Sequence, residues 1–96
     1  MPVHNRDVAE ILERVANLLD IKGTNQFRVR AYRNAASTVD NFSRDIRELV
    51  ESGEDISKYK GIGSSIAEKV EEIVKTGKLQ QLEDLEKEIP AELNAL

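Results

Sequence analysis

Cysteine and tryptophan are both absent from this 96-residue chain, and histidine occurs once, at His4. No disulfide or thiolate metal site can therefore form, and a zinc site built on imidazoles is excluded as well. Two tyrosines and two phenylalanines are the whole aromatic complement, so the core must be mostly aliphatic. Long apolar runs are missing too. None approaches the roughly 20 residues of a membrane span, and Met1-Pro2-Val3-His4-Asn5 has no signal-peptide apolar region. A cytoplasmic location with no membrane partner is the expectation. The length suits one small domain over residues 1–96, with a modest core and no room for a large catalytic cleft.

The net charge of −4 argues at first against a nucleic-acid partner. Its distribution argues the other way. From Ile21 to Thr38 the chain carries Lys22, Arg28, Arg30 and Arg33 with no acid, and from Ile56 to Ala67 it carries Lys58 and Lys60, again with none. Acids concentrate elsewhere: six against two arginines between Asp40 and Asp55, eight against four lysines between Glu68 and Leu96. Should the two acid-free windows meet in space, an acidic domain presents a basic face, because charges beyond a Debye length of about 8 Å are screened. An ordinary mixed surface is the alternative.

Apolar residues at Val8, Ile11, Leu12, Val15, Leu18 and Leu19 recur with helical spacing, predicting a first helix of about four turns that Gly23 ends. Thr24-Asn25 suits the start of a second helix from about Gln26 to Val39, with Phe27, Ala31, Ala35 and Val39 in a stripe beside Tyr32 and Ala36. Ser43 is a candidate cap for a short third helix carrying Ile46, Leu49 and Val50 and closed by Gly53. A fourth helix runs from about Ser64 to Thr76, where Ser65 and Glu68 have capping-box spacing, and Gly77 stops it. Leu79, Leu82, Leu85 and Ile89 mark a fifth segment, and Pro90 suits the first turn of a terminal helical piece. No segment alternates with period two, so the expected fold class is all-α, a small bundle of four to five helices.

Between the third and fourth helices lies Lys60-Gly61-Ile62-Gly63-Ser64-Ser65, a two-glycine turn that opens directly into an amphipathic helix. Gly61 and Gly63 accept positive φ and lack a Cβ, so the chain can bend sharply and lie against another backbone. The first amides of the helix then point outward unpaired, and the macrodipole adds positive potential there. With Ile56 and Tyr59 upstream, the pattern Ile56-x-x-Tyr59-x-Gly61-Ile62-Gly63-x-x-Ile66-Ala67-x-x-Val70 resembles the helix-hairpin-helix motif of DNA repair proteins, over about residues 56–76. Such motifs hold the sugar-phosphate backbone without reading bases. A turn that merely connects helices in a protein-interaction module is the competing reading.

A second signature accompanies the hairpin. Ile21-Lys22-Gly23 with Phe27-Arg28-Val29-Arg30-Ala31-Tyr32-Arg33 and Ala35-Ala36 is followed by Lys60-Gly61-Ile62-Gly63, Ile66-Ala67-Glu68-Lys69 and Thr76-Gly77-Lys78-Leu79. Together they resemble the N-terminal domain of family X DNA polymerases, the group that includes DNA polymerase beta, with the bacterial and archaeal members most similar. The resemblance runs from about Asn5 to Leu93. It implies a DNA-binding domain, excised from a longer polymerase, that grips the 5′-phosphate side of gapped, nicked or single-stranded DNA in gap-filling or base-excision repair; a monomer is the expected state. Nucleotidyl transfer would belong to absent downstream domains, since the chain lacks the aspartate cluster of two-metal polymerisation.

The resemblance also carries residue roles. Lys60, Gly61, Ile62, Gly63, Ser64 and Ser65 of the hairpin are the phosphate-binding candidates, with Arg28, which matches a position of the family's 5′-phosphate pocket, and Arg30 nearby. Arg28 and Arg30 lie roughly 200° apart around a helix, so both cannot reach one phosphate. Backbone carbonyls of Ser57, Tyr59 and Ile62 match a monovalent cation site, for Na⁺ or K⁺, and no other cofactor is implied. Lys69 matches the Schiff-base lysine of the family's 5′-deoxyribose-phosphate lyases, and Tyr32 a tyrosine beside it. Those lyases carry another lysine one turn earlier, where Ser65 stands here. A lysine covering the core edge with its head in water is the other reading of Lys69, and a core tyrosine the other reading of Tyr32. Phe27 reads as a core anchor or as a base-stacking side chain. Lys58, Lys75 and Lys78 are candidates to extend the phosphate track, and Glu71–Lys75 to form an exposed pair.

Overall fold

A computed structural model of the chain describes residues 3–89, and within them every regular element is helical. Five α-helices and one 3₁₀ turn follow in order: α1 (Asn5–Lys22), α2 (Gln26–Asp40), α3 (Ile46–Glu51), the turn Ile56–Lys58, α4 (Ser64–Thr76) and α5 (Gln80–Glu88). The all-α bundle expected from the periodicity is the fold observed. The terminal helical piece proposed around Pro90 lies outside the described residues.

Local chemistry sets most of the helix ends. Gly23 closes α1 in the left-handed conformation (φ 74°), with its amide donating to the Asp20 carbonyl at 3.0 Å and the Thr24 amide to Leu19 at 3.2 Å. The Asn25 side chain accepts from the Phe27 amide at 2.9 Å and starts α2. The short α3 is capped by Asp45, not by Ser43: the Asp45 carboxylate accepts from the Arg47 amide at 3.0 Å. Asn5 decides that register from a distance. Its side chain donates to the Arg44 carbonyl (2.7 Å) and accepts from the Ile46 amide (2.8 Å), fixing the start of α3 against α1.

The core is aliphatic, as the composition requires. Leu12, Leu18, Ile46, Leu49, Ile56, Ile73 and Leu79 are its largest fully buried side chains, and no polar or charged residue is buried among those described. The most extensive packing joins α1 to α2, and α5 lies against α1. The other side of the bundle is built by α4 with α3 and the 3₁₀ turn. Burial of one such side chain contributes about 1.5–3 kcal/mol.

One expectation about α2 is overturned. Its buried face is Val29, Tyr32, Ala35, Ala36 and Val39, so the stripe is rotated from the predicted one. Phe27 is 77% exposed and does not anchor the core, and Ala31 is exposed as well. Both sit at the edge of the stripe, where α1 covers the residues on one side and leaves the other to solvent.

Candidate nucleic-acid interface

The hairpin begins with an aspartate. The Asp55 carboxylate accepts from the Ser57 amide (3.0 Å) and the Ser57 hydroxyl (2.6 Å), which shapes the 3₁₀ turn. These bonds, the hydroxyl's first, hold the Asp55 carboxyl below the usual carboxylate range. Tyr59 packs edge-on against Phe42, with ring centroids 4.9 Å apart, and donates its hydroxyl to Glu54 (2.9 Å). Glu54 also holds the Lys58 ammonium at 2.7 Å. That ammonium, then the tyrosine hydroxyl, lowers the Glu54 carboxyl, and the same contact raises Lys58. Lys58 thus has an internal partner in Glu54.

Beyond Tyr59 the chain turns through Gly61, whose φ of 94° lies in the left-handed region. The Ile62 amide closes the bend on the Tyr59 carbonyl at 3.1 Å, and the buried Ile62 side chain pins it to the core. Gly63 differs from its neighbour. It sits at φ −77° and ψ 167°, an ordinary extended conformation, and a Cβ there would meet nothing within 4 Å. Neither backbone strain nor a neighbouring atom therefore requires a glycine at 63.

Helix α4 starts with Gly63 as its N-cap and no side-chain cap. The capping box expected from Ser65 and Glu68 does not form, because the helix begins two residues too early for Ser65 to hold the cap position. The consequence is chemical. Amides of Gly61, Gly63, Ser64, Ser65 and Ile66 find no acceptor among the described residues, and the first cap-to-helix bond is Ala67 N–H to the Gly63 carbonyl at 2.8 Å. Unpaired donors at a helix N-terminus, in line with its dipole, favour an anion.

Helix α2 supplies the facing wall. A cleft of about 490 Å³ is lined by Arg28, Ala31, Tyr32 and Asn34 of α2 and by Gly61, Gly63, Ser64, Ser65 and Ile66 of the hairpin and α4. The two acid-free windows of the sequence thus meet here. Only part of their charge survives pairing. Lys22 reaches Glu88 (2.7 Å), Arg33 reaches Asp20 (3.7 Å) and Lys58 reaches Glu54, whereas Arg28, Arg30 and Lys60 form no ion pair among the described residues. Arg28 faces the cleft. Arg30 instead lies over the exposed Phe27 ring, 5.3 Å from its centroid, so the two arginines divide as helical geometry demands.

The residues proposed for lyase chemistry are less well assembled. Tyr32 is 3% exposed and donates its hydroxyl to Gln81 of α5 at 3.0 Å, not to Lys69. Lys69 is half-buried on α4, has no ion pair among the described residues and is not part of the cleft lining. Glu72, one turn on, spends its carboxylate on the Gln80 amide at the start of α5 (2.8 Å). Lys78 pairs with Glu83 at 3.9 Å, and Glu71 and Lys75 form no pair.

The carbonyls suggested for a monovalent cation are largely unspent. Ser57 and Ile62 carbonyls accept no hydrogen bond among the described residues, and Tyr59 accepts only that of Ile62, leaving lone pairs on all three. No cluster of three acidic, histidine or cysteine side chains suited to a metal occurs among the described residues, and none of their helices is long and apolar enough to cross a membrane.

Sequence reasoning does not single out Thr38, Asn34 or Gln81 and reads Ala31 only as part of an apolar stripe, yet all four border or brace this cleft. The available signal was small: Arg28, Ala31, Ala35 and Thr38 fall on one stripe of α2, and short side chains there let the hairpin approach.

An uncapped, glycine-led helix start set into a helical bundle defines a helix-hairpin-helix fold, and the family model described as a helix-hairpin-helix domain matches residues 3–79. The chain belongs to that family. Among curated proteins it is similar to the DNA polymerase/3′-5′ exonuclease PolX of Bacillus subtilis, 33% identical over 88 residues that make up 92% of this chain and 15% of that protein. It is also similar to DNA polymerase IV of Saccharomyces cerevisiae, 35% identical over 82 residues, 84% of this chain and 13% of the yeast protein. The similarity to family X DNA polymerases read from the motifs therefore stands, and the chain spans about one-seventh of the length of these relatives.

Proposed function

We propose that this chain is a backbone-reading DNA-binding domain that holds the 5′-phosphate side of a gap or nick during repair by a family X polymerase. One observation carries the reading: free amides at the start of α4 and the unpaired Arg28 guanidinium line the same cleft. An oxyanion there accepts main-chain hydrogen bonds on one side and a charge-assisted contact on the other. Lys60 adds positive potential beside it. The exposed Phe27 ring, backed by Arg30, supports stacking of an unpaired base next to the phosphate path. Ser57, Tyr59 and Ile62 carbonyls would hold a cation that bridges the hairpin to a phosphate. Similarity to two DNA polymerases over most of this chain supports DNA as the partner and nucleotide transfer as the work of the rest of a longer protein.

Contacts of this kind give little base preference, and affinity falls with salt in proportion to the phosphates neutralised. Fluorescence anisotropy with a gapped duplex, with and without the 5′-phosphate, tests the reading. Gly63→Val places a branched side chain in open space outside the hairpin, so binding is expected to drop with the fold intact. Unchanged affinity in that variant would overturn the proposal, as would equal affinity for a duplex lacking the 5′-phosphate. Schiff-base chemistry at Lys69 is decided separately by borohydride trapping on a pre-incised abasic duplex. A Lys69-dependent adduct adds a lyase activity, and its absence leaves phosphate binding alone.

A further inference from the structure

The two walls of the cleft come from parts of the bundle that otherwise have little to do with each other. Helix α2 packs chiefly on α1, and α4 packs on α3 and the 3₁₀ turn. They meet where the C-terminal end of α2 reaches the hairpin. There the Thr38 hydroxyl donates to the Lys60 carbonyl at 3.4 Å, and a Cβ added to Gly61 would collide with Thr38 Oγ1 and come within 3.3 Å of its Cβ. A side chain at 61 requires Thr38 or the hairpin to shift. Arg28 sits ten residues earlier on the same helix, about 15 Å along its axis, where the Tyr32 hydroxyl is braced by Gln81.

We infer that Thr38 is a positioning residue for the phosphate cleft: by touching Gly61 and holding the Lys60 carbonyl, its size sets how closely the hairpin amides approach the Arg28 wall. This rests on the proposed function, because it assigns Thr38 a part in that same site. Thr38 contacts the hairpin backbone and does not line the cleft, so it acts through the bend. A larger side chain wedges the hairpin away from α2, and an anion can then no longer reach amides and guanidinium together.

The test is binding of the 96-residue chain to a gapped duplex with and without its 5′-phosphate. Thr38→Leu is expected to reduce affinity for the phosphorylated duplex about tenfold and to collapse the ratio between the two duplexes toward one. Thr38→Ser keeps the hydroxyl and should hold the loss below about threefold. A merely structural role would lower the melting temperature without moving the phosphate ratio. The reciprocal pair gives a second measurement: Gly61→Ala should lose at least about threefold less affinity in a Thr38→Ala background than alone, since trimming Thr38 relieves the collision although not the backbone strain. That pair decides the matter if Thr38→Leu fails to fold. If Thr38→Leu binds with the wild-type phosphate ratio, or Gly61→Ala costs the same in both backgrounds, the inference about Thr38 is overturned. Gly63→Val keeps the two failures apart: lost binding in that variant leaves the cleft reading standing, and retained binding ends both.

Discussion

Replacing Gly61 and Gly63 separately with alanine should give losses of very different size, although the two residues look equivalent in the sequence. At Gly61 the φ of 94° is left-handed. An L-residue there costs roughly 1–2 kcal/mol, and the new methyl is also driven into Thr38. Overpacking of that kind adds about 1–3 kcal/mol, for a total near 2–5 kcal/mol. A domain of this size loses about 4–8 °C of melting temperature per kcal/mol, so a fall of about 10 °C or more is expected. Gly63 lies at φ −77° with open space beside it. Alanine there should cost less than about 1 kcal/mol, the loss of a favourable N-cap glycine being partly offset by the smaller freedom of the unfolded chain. Thermal unfolding followed by circular dichroism at 222 nm, the usual helix band and roughly the choice of wavelength for any all-α chain, measures both. Melting temperatures within about 2 °C of each other would refute the reasoning, because the hairpin could not then lie against Thr38 as described.

Arg28→Ala should weaken binding to gapped DNA and reduce the slope of log K against log salt by about one, whereas Arg33→Ala, whose guanidinium is already held by Asp20, should leave the slope nearly unchanged; salt titrations of both variants check this. Phe27→Ala should shift stability by less than about 0.5 kcal/mol because the ring is exposed. Leu12→Ala, at a fully buried site, should cost about 2–5 kcal/mol in a urea melt. The pH dependence follows from the hairpin's acids. Glu54 and Asp55 titrate lower in the folded chain than in the unfolded one. Their contribution is present above the ordinary carboxylate range near about pH 4 and is lost as pH falls through their depressed folded values. Lys58, raised by Glu54, contributes fully below its ordinary value of about 10.4 and loses that contribution as pH rises through the higher folded one. Amide chemical shifts of residues 54–60 followed through an acid titration should move together, and Glu54→Gln should remove the part that reports on Lys58 and Tyr59.

The helical class, the helix ends at Gly23, Asn25 and Gly77 and the hairpin at 60–65 were all legible in the residues themselves. Each depends on chemistry within about one helical turn: a left-handed glycine, a side chain bonding its own backbone, an apolar period of 3.6. Tertiary structure decided the rest. Which cations stay free is a matter of neighbours distant in the chain, as with Lys22 and Glu88, 66 residues apart. The outward turn of Phe27 depends on how α1 covers α2, and a small rotation of that contact moves a stripe-edge residue from core to solvent. Gly61 and Gly63 read alike because a sequence records the absence of a Cβ and not its cause. The folded structure separated them, by a left-handed φ at Gly61 alone and by placing the α2 threonine against it and open space beside Gly63, since steric exclusion acts between atoms that touch wherever they stand along the chain.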